Sequence, residues 1–316
     1  MKKRHVLLSF TLALGLALAP FLSNSSTSAA ASKLPSNALI SNKGTVITPE
    51  KVKRFAATSK KKNAATAYRG NGKLKNAKET VVKKVQPVRF GSYDIGIRSV
   101  IGTDDRTRVT NTTTYPYSAI AHIESSIGGC TGWMIGPRTL VTAGHCVYDP
   151  DTKQWATDVT VTPGRNGTSK PYGSAKDIEI FVSAGWGQNG DIGHDYAVII
   201  LDQEIGYATG WFGYRWTSSS LTGVAENISG YPGDKTYGTQ WQHADKIRKT
   251  ETYRLYYAND TYGGQSGSPV YQKYEASCDG PCAIAIHTYG AGGTSYNSGT
   301  RITEEVFDTL NYLKDY

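Results

Sequence analysis

"CTGWMIGPRTLVTAGHC", residues 130–146, holds two apolar runs, TGWMI and TLVTA, split by a Gly-Pro pair and ending at a histidine between glycine and cysteine. Short runs rich in Val, Ile, Tyr and Thr, bounded by Gly, Pro, Asn or Asp, read as β-strands. The same texture recurs in "YSAIAHI", "VTVTP", "IEIFV", "YAVIIL", "RLYYA", "SPVYQ" and "AIAIHTY". Residues 99–316 therefore read as an all-β region, a sandwich or a barrel. One helix is predicted at the end, in "TEEVFDTLNYLKDY". Val306, Leu310 and Leu313 fall on one face there, and Glu304 and Glu305 sit in the first turn, where the helix dipole favours them. The sequence contains no internal repeat and no dinucleotide or P-loop glycine motif.

The 316-residue chain has a net charge of +9, unevenly placed. Residues 1–98 carry 19 Lys/Arg against 3 Asp/Glu, whereas residues 99–316 carry 16 against 23. The β-region is acidic, so nucleic acid is not an expected partner. At the N-terminus, "MKKRH", an apolar stretch and "SNSSTSAAASK" form the three parts of an export signal covering residues 1–31. No comparable apolar run follows, which predicts a secreted product without stable membrane association. Residues 32–98 are rich in Lys, Ala, Ser and Asn. They read either as a weakly folded basic linker or as a propeptide that covers or chaperones the acidic region. Four cysteines suit an oxidising destination. Cys278 and Cys282 flank a turn-forming Asp-Gly-Pro and are expected to pair locally, which leaves Cys130 with Cys146.

Three stretches carry candidate chemistry: "TLVTAGHC" with His145, "HDYAVIIL" with Asp195, and "TYGGQSGSPV" with Ser266. A serine hydroxyl is a weak nucleophile until an imidazole takes its proton, and the imidazole needs a carboxylate to hold its tautomer. A glycine-rich turn can aim backbone N–H groups at a developing oxyanion. Each residue alone has an ordinary reading: His145 as a buried strand histidine, Asp195 as a turn cap, Ser266 as a turn residue. Asp191 stands close enough to compete with Asp195. Together the three fit one constellation in the order His, Asp, Ser.

"TAGHC", "DYAVI" and "GGQSGSPV" resemble the active-site segments of chymotrypsin-like serine proteases. "SVIGTDDRTRVTNTT", "CTGWMIGPRTLVTAGHC", "ISGYPGDKTYGTQWQH" and "TYGGQSGSPV" narrow the resemblance to the bacillus-type glutamyl endopeptidases, across essentially all of residues 99–316. The resemblance implies a double β-barrel, secretion as a precursor, and cleavage after Glu, with Asp a poorer site. It makes His145 the general base, Asp195 its orienting partner and Ser266 the nucleophile, with the amides of Gly264 and Ser266 as the oxyanion hole. Thr261 and His287 would read the substrate carboxylate. Gln265 stands where the trypsin-like branch carries an aspartate that pairs with the new N-terminal amine, so Ser99, as mature N-terminus, is expected to assist recognition instead.

Cleavage after Arg98 would free Ser99. A pocket for carboxylates rejects arginine, so a separate Arg/Lys-specific protease is the expected activator. Self-trimming after Glu50 or Glu79 would not release Ser99. The expected product is a monomer acting on proteins and peptides that contain Glu, with no cofactor or metal required. The turn "YDPDTK" permits a calcium ion without specifying one. Two readings compete: a chymotrypsin-like protease of other specificity, and a secreted binding module on a dead protease barrel. "GQSGS" misses the G-x-S-x-G nucleophile elbow, and the chain lacks the strand–helix alternation of that fold.

Overall fold

All nine apolar runs are strands in the computed structural model, which describes residues 33–58, 62–73, 98–291 and 295–316. The expected export signal and Glu79 lie outside the described residues. Six strands form the first barrel: Ile120–Ser125, Gly128–Met134, Thr139–Thr142, Thr160–Pro163, Ala175–Ser183 and Ala197–Leu201. Pairing of Thr160–Pro163 with Ala175–Ser183 closes it. Its interior is apolar. Ile120, Ile123, Trp133, Leu140, Val141, Val161, Ile180 and Val198 are fully buried.

The second barrel is built from Ala225–Gly230, Trp241–Thr250, Arg254–Tyr257, Pro269–Glu275, Gly280–Tyr289 and Asn297–Arg301. It closes where Pro269–Glu275 meets Gly280–Tyr289. The two six-stranded barrels are the expected all-β, chymotrypsin-like double barrel. Half of the second barrel's strands fall outside the apolar runs, because they bury few apolar side chains: Glu226, Asn227, Ser229 and Asn297 are among their buried residues, and Trp241–Thr250 buries only Ile247.

The predicted terminal helix is Glu304–Leu313, capped by Thr303, whose Oγ1 accepts from the Val306 amide. It buries Val306, Phe307, Leu310 and Leu313. Thr139 Oγ1 donates to the Leu313 carbonyl at 3.1 Å, which fixes the helix on the first barrel. Both disulfides pair as expected, Cys130 with Cys146 and Cys278 with Cys282. No helix among the described residues is long and apolar enough to cross a membrane.

The described residues from Leu34 onward belong to one compact unit. The basic N-terminal stretch is folded where described, contrary to the linker reading. It contributes strands Leu39–Ser41, Val46–Ile47 and Ala64–Ala65 and a helix, Pro49–Thr58. That helix starts with Pro at its first position and Glu50 beside it, a favourable N-terminus that the lysine-rich composition masks.

Candidate active site

Ser266 sits on a tight turn pressed against the first barrel. Gly264 and Gly267 both have positive φ, +100° and +86°. A Cβ on Gly264 would lie 2.6 Å from the Tyr231 carbonyl, and one on Gly267 would lie 2.1 Å from the Thr131 carbonyl. Only glycine fits either place. Thr131, a first-barrel residue beside Cys130, holds the turn twice. Its Oγ1 donates to the Gly264 carbonyl at 2.8 Å, and its amide donates to the Ser266 carbonyl at 2.9 Å. With these carbonyls engaged, the amides of Gly264 and Ser266 make no hydrogen bond among the described residues. Two such N–H groups on one turn can receive an anionic oxygen.

His145 follows the end of strand Thr139–Thr142, in the 3₁₀ turn Gly144–Cys146. Asp195 binds it twice: Oδ1 accepts from the His145 amide at 3.0 Å, and Oδ2 lies 2.6 Å from Nδ1. Asp195 is fully buried, and burial alone would raise its pKa. The charge and hydrogen bonds of His145, with the Tyr289 hydroxyl, outweigh burial and hold the carboxyl below its ordinary value. The ionised carboxylate only accepts, so Nδ1 carries the proton and Nε2 is left as the basic nitrogen. Nε2 is buried without a hydrogen bond among the described residues. Bonds of this kind commonly tighten only when substrate arrives.

Asp191 does not compete. Its Oδ2 lies 2.7 Å from His194 Nδ1 and its Oδ1 accepts from the Gly193 amide, so it caps the turn that leads into Asp195. The Cys130–Cys146 disulfide ties the strand carrying Thr131 to the turn carrying His145.

His287 is 3% exposed, and its Nδ1 meets the Tyr257 hydroxyl at 2.8 Å. Burial, with the nearby His145 and Arg254, lowers its pKa to about 3, so the imidazole is neutral near pH 7. Asn297, opposite Tyr257 in the sheet, donates to Thr261 Oγ1 at 3.1 Å. The backbone of Ser99 pairs directly opposite Thr261 in a short antiparallel ladder, Arg98–Ser99 with Thr261–Tyr262. The expected recognition residues therefore converge along neighbouring strands.

Four neighbours of the candidate site escaped sequence reasoning: Thr131, Tyr257, Arg106 and Arg254. Strand alternation puts Leu255 and Tyr257 on one face, a signal for the second of these. Arg106 is buried between Asp104 and Asp234, at 2.8 and 2.5 Å, and its Nη1 lies 3.4 Å from Gln265 Oε1. A guanidinium thus faces the residue before Ser266, where the trypsin-like branch has a carboxylate. Arg254 is buried, forms no ion pair among the described residues, donates to the Ile192 carbonyl at 2.7 Å, and stacks on Tyr289 at 5.0 Å.

Asp105, His243 and Asp260 bring one donor atom each within 4.8 Å of one another. The donor atoms of Asp260 and His243 already serve the backbone. Asp260 accepts from the amides of Ile101 and Asp105, both at 2.8 Å, and His243 Nδ1 accepts from the Asp260 amide. In the "YDPDTK" turn, the Asp149 carboxylate accepts from the amide and hydroxyl of Thr152 and the amide of Asp151.

The sequence profile of the trypsin family matches residues 105–308. The chain belongs to the trypsin family. A glutamyl endopeptidase of Bacillus licheniformis is 56% identical over 252 residues, 79% of this chain and 78% of that protein. An "Extracellular metalloprotease" of Bacillus subtilis strain 168 is 44% identical over 266 residues, 81% of each chain. The solved structure of a Glu endopeptidase in complex with MPD superimposes with a TM-score of 0.64 at 34% identity, covering 69% of this chain and all of that one. This trypsin-family serine protease thus lies among the glutamyl endopeptidases in sequence and fold, and it acts on protein substrates.

Proposed function

We propose that this protein is a secreted serine endopeptidase that cleaves after Glu, and less readily after Asp, made as a precursor. Its parts are an export signal, 1–31, a prosegment, 32–98, and the protease domain, 99–316. The observation that carries the reading is the Asp195–His145 pair set beside the Ser266 turn, whose Gly264 and Ser266 amides have no partner among the described residues.

Ser266 Oγ attacks the scissile carbonyl carbon while its proton passes to His145 Nε2. Asp195 stabilises the imidazolium, and the oxyanion rests on the amides of Gly264 and Ser266. Collapse breaks the C–N bond, the leaving amine takes the proton from Nε2, and an acyl-enzyme remains. Water then enters, His145 takes its proton, and the same steps in reverse order release the acid. These side chains supply every step, and no metal or cofactor is called on.

The substrate carboxylate would meet His287 Nε2–H, since the Tyr257 hydroxyl can donate to Nδ1 and hold that tautomer. A buried carboxylate raises the pKa of a neighbouring imidazole, so binding and His287 protonation reinforce each other. Thr261 adds a hydroxyl. The Ser99 amine, once Arg98 is cut by a separate protease, adds a cation beside it. The domain's net negative charge cannot attract an acidic side chain, so these local groups must select it.

Labelling with a serine-directed fluorophosphonate, followed by cleavage of matched Glu, Gln and Asp peptides, tests the reading. Labelling lost in Ser266→Ala, with Glu strongly preferred, is expected. Absence of labelling in the processed wild type would favour a dead binding module, and labelling without Glu preference would favour another specificity.

A further inference from the structure

The protease fold leaves two strand edges that residues 34–73 fill. On the first barrel, the end of strand Ala175–Ser183 takes Leu39–Ser41 as an antiparallel neighbour, in the register Leu39–Ser183, Ile40–Val182 and Ser41–Phe181. Beside the second barrel, strand Gly213–Arg215 takes Ala64–Ala65, pairing Tyr214 with Ala65 and Arg215 with Ala64. Between these points the helix Pro49–Thr58 lies on the C-terminal helix, with Phe55 edge-on to Tyr312 at 5.4 Å and the Lys51 ammonium over the same ring.

The contact is specific as well as extended. Leu39, Ile47 and Val52 are buried within the same core as the first barrel. Past the second edge, Tyr68 and Trp211 exchange two backbone hydrogen bonds, at 2.9 and 2.8 Å, and their rings lie 4.3 Å apart. Gly70 and Gly210 meet so closely that a Cβ on Gly70 would lie 2.4 Å from the Gly210 nitrogen. Charge agrees with this placement, since residues 34–73 hold nine Lys/Arg and one Glu against an acidic domain.

We propose that residues 34–73 form a two-edge clamp that joins the barrels from outside and remains bound as a separate chain after the connection to the domain is cut. Backbone ladders at two edges supply affinity of the strand-addition kind, and each edge is protected from pairing with other chains while the clamp is seated. Among the described residues, none of 33–73 hydrogen-bonds to His145, Asp195, Gly264, Ser266 or His287. The Ser36 and Ala38 carbonyls accept from the amides of Gly185 and Ala184, which begin the short helix Ala184–Asn189 ahead of the Asp191–Asp195 turn.

The test uses the full chain with Ser266→Ala, to prevent self-cleavage, and a recognition sequence for a site-specific protease inserted between residues 74 and 97. After cutting, the sample is run at low micromolar concentration by size exclusion and native mass spectrometry. One particle holding both pieces in equal number is expected, and Gly70→Val should speed release of the smaller piece at least tenfold. If Gly70→Val does not accumulate folded, Phe55→Ser, at a half-exposed ring, serves the same purpose. Separation of the two pieces in the parent chain would overturn the clamp, as would release unchanged by the substitution. Either result leaves the catalytic reading untouched, because neither depends on activity.

Discussion

The two barrels share a topology but differ in what they enclose. The first packs Ile, Leu, Val and Trp side chains from all six strands into a dry interior. The second has a small apolar cluster around Leu221, Ile228, Ile247, Leu255 and Ile284, and surrounds it with buried polar groups. Asn227 donates to the Tyr271 hydroxyl, Asn297 to the Asn259 carbonyl, and Arg301 to the carbonyls of Glu251, Thr217 and Ser219. The difference follows the division of labour. The first barrel supplies His145 and Asp195, whose task is to stay in one place. The second carries His287 and Thr261, which under the proposed function recognise a charged side chain and need polar neighbours to hold them.

The largest expected effect ignores the division, because the chemistry spans the seam. His145→Ala removes a first-barrel group and Ser266→Ala a second-barrel group, yet each should lower kcat by at least about 10⁴-fold, as the groups act as a unit. Active-site-titrated kinetics check this, and retention of a tenth of turnover by either variant would defeat the assignment. Next comes packing. Leu140→Ala in the dry barrel should cost about 2–5 kcal/mol in urea unfolding, the usual range for such truncations. A loss under 1 kcal/mol would mean that the first barrel is looser than its burial indicates.

Recognition should separate the barrels more finely. His287→Ala is expected to leave the fold intact and reduce the preference for Glu over Gln by about 10-fold or more, because the site loses a donor built for a carboxylate. An unchanged Glu:Gln ratio would remove His287 from the pocket. The smallest effect concerns Glu226, whose buried carboxyl has a pKa pushed well above the ordinary value, mainly by burial. An acid with a raised folded pKa contributes its stability below the unfolded value and loses it as pH rises towards the folded value. Wild-type stability should therefore fall above about pH 4.5, by no more than ~1.4 kcal/mol per pH unit from this group. Glu226→Gln should flatten that slope in unfolding curves measured from pH 4 to 8; an identical slope would refute it.

The same contrast explains what the sequence could reveal. Every first-barrel strand coincides with an apolar run, since burial against a dry core requires one. Ala225–Gly230, Trp241–Thr250 and Asn297–Arg301 were not legible, because "AENISG" and "NSGTR" bury polar side chains among few apolar ones, and "WQHADKIRKT" buries only Ile247. His145, Asp195 and Ser266 were legible through the residues that flank them. Arg254 was not, because its contact with the Ile192 carbonyl, 62 positions away, is encoded by no local pattern. The helix Pro49–Thr58 was obscured for a related reason: it buries only Pro49 and Val52, too little for an apolar stripe.

The glycines along the seam have a consequence for reading related genes. A Cβ on Gly230 would sit 2.1 Å from Ser268 Oγ, and one on Gly132 would sit 2.4 Å from Leu140 Cδ2. Gly264 and Gly267, with positive φ and backbone carbonyls at 2.6 and 2.1 Å, admit no side chain, whereas at Gly132 and Gly230 the nearest atom belongs to a side chain. A catalytic serine, histidine or aspartate can be lost while the barrels still meet, so a decayed copy of this gene can keep its shape. The glycines of the Ser266 turn are different: they report whether that turn can still seat against the first barrel. As a diagnostic word in the sequence, they separate chains that still build the turn from chains that only share its ancestry, before any question of activity is asked.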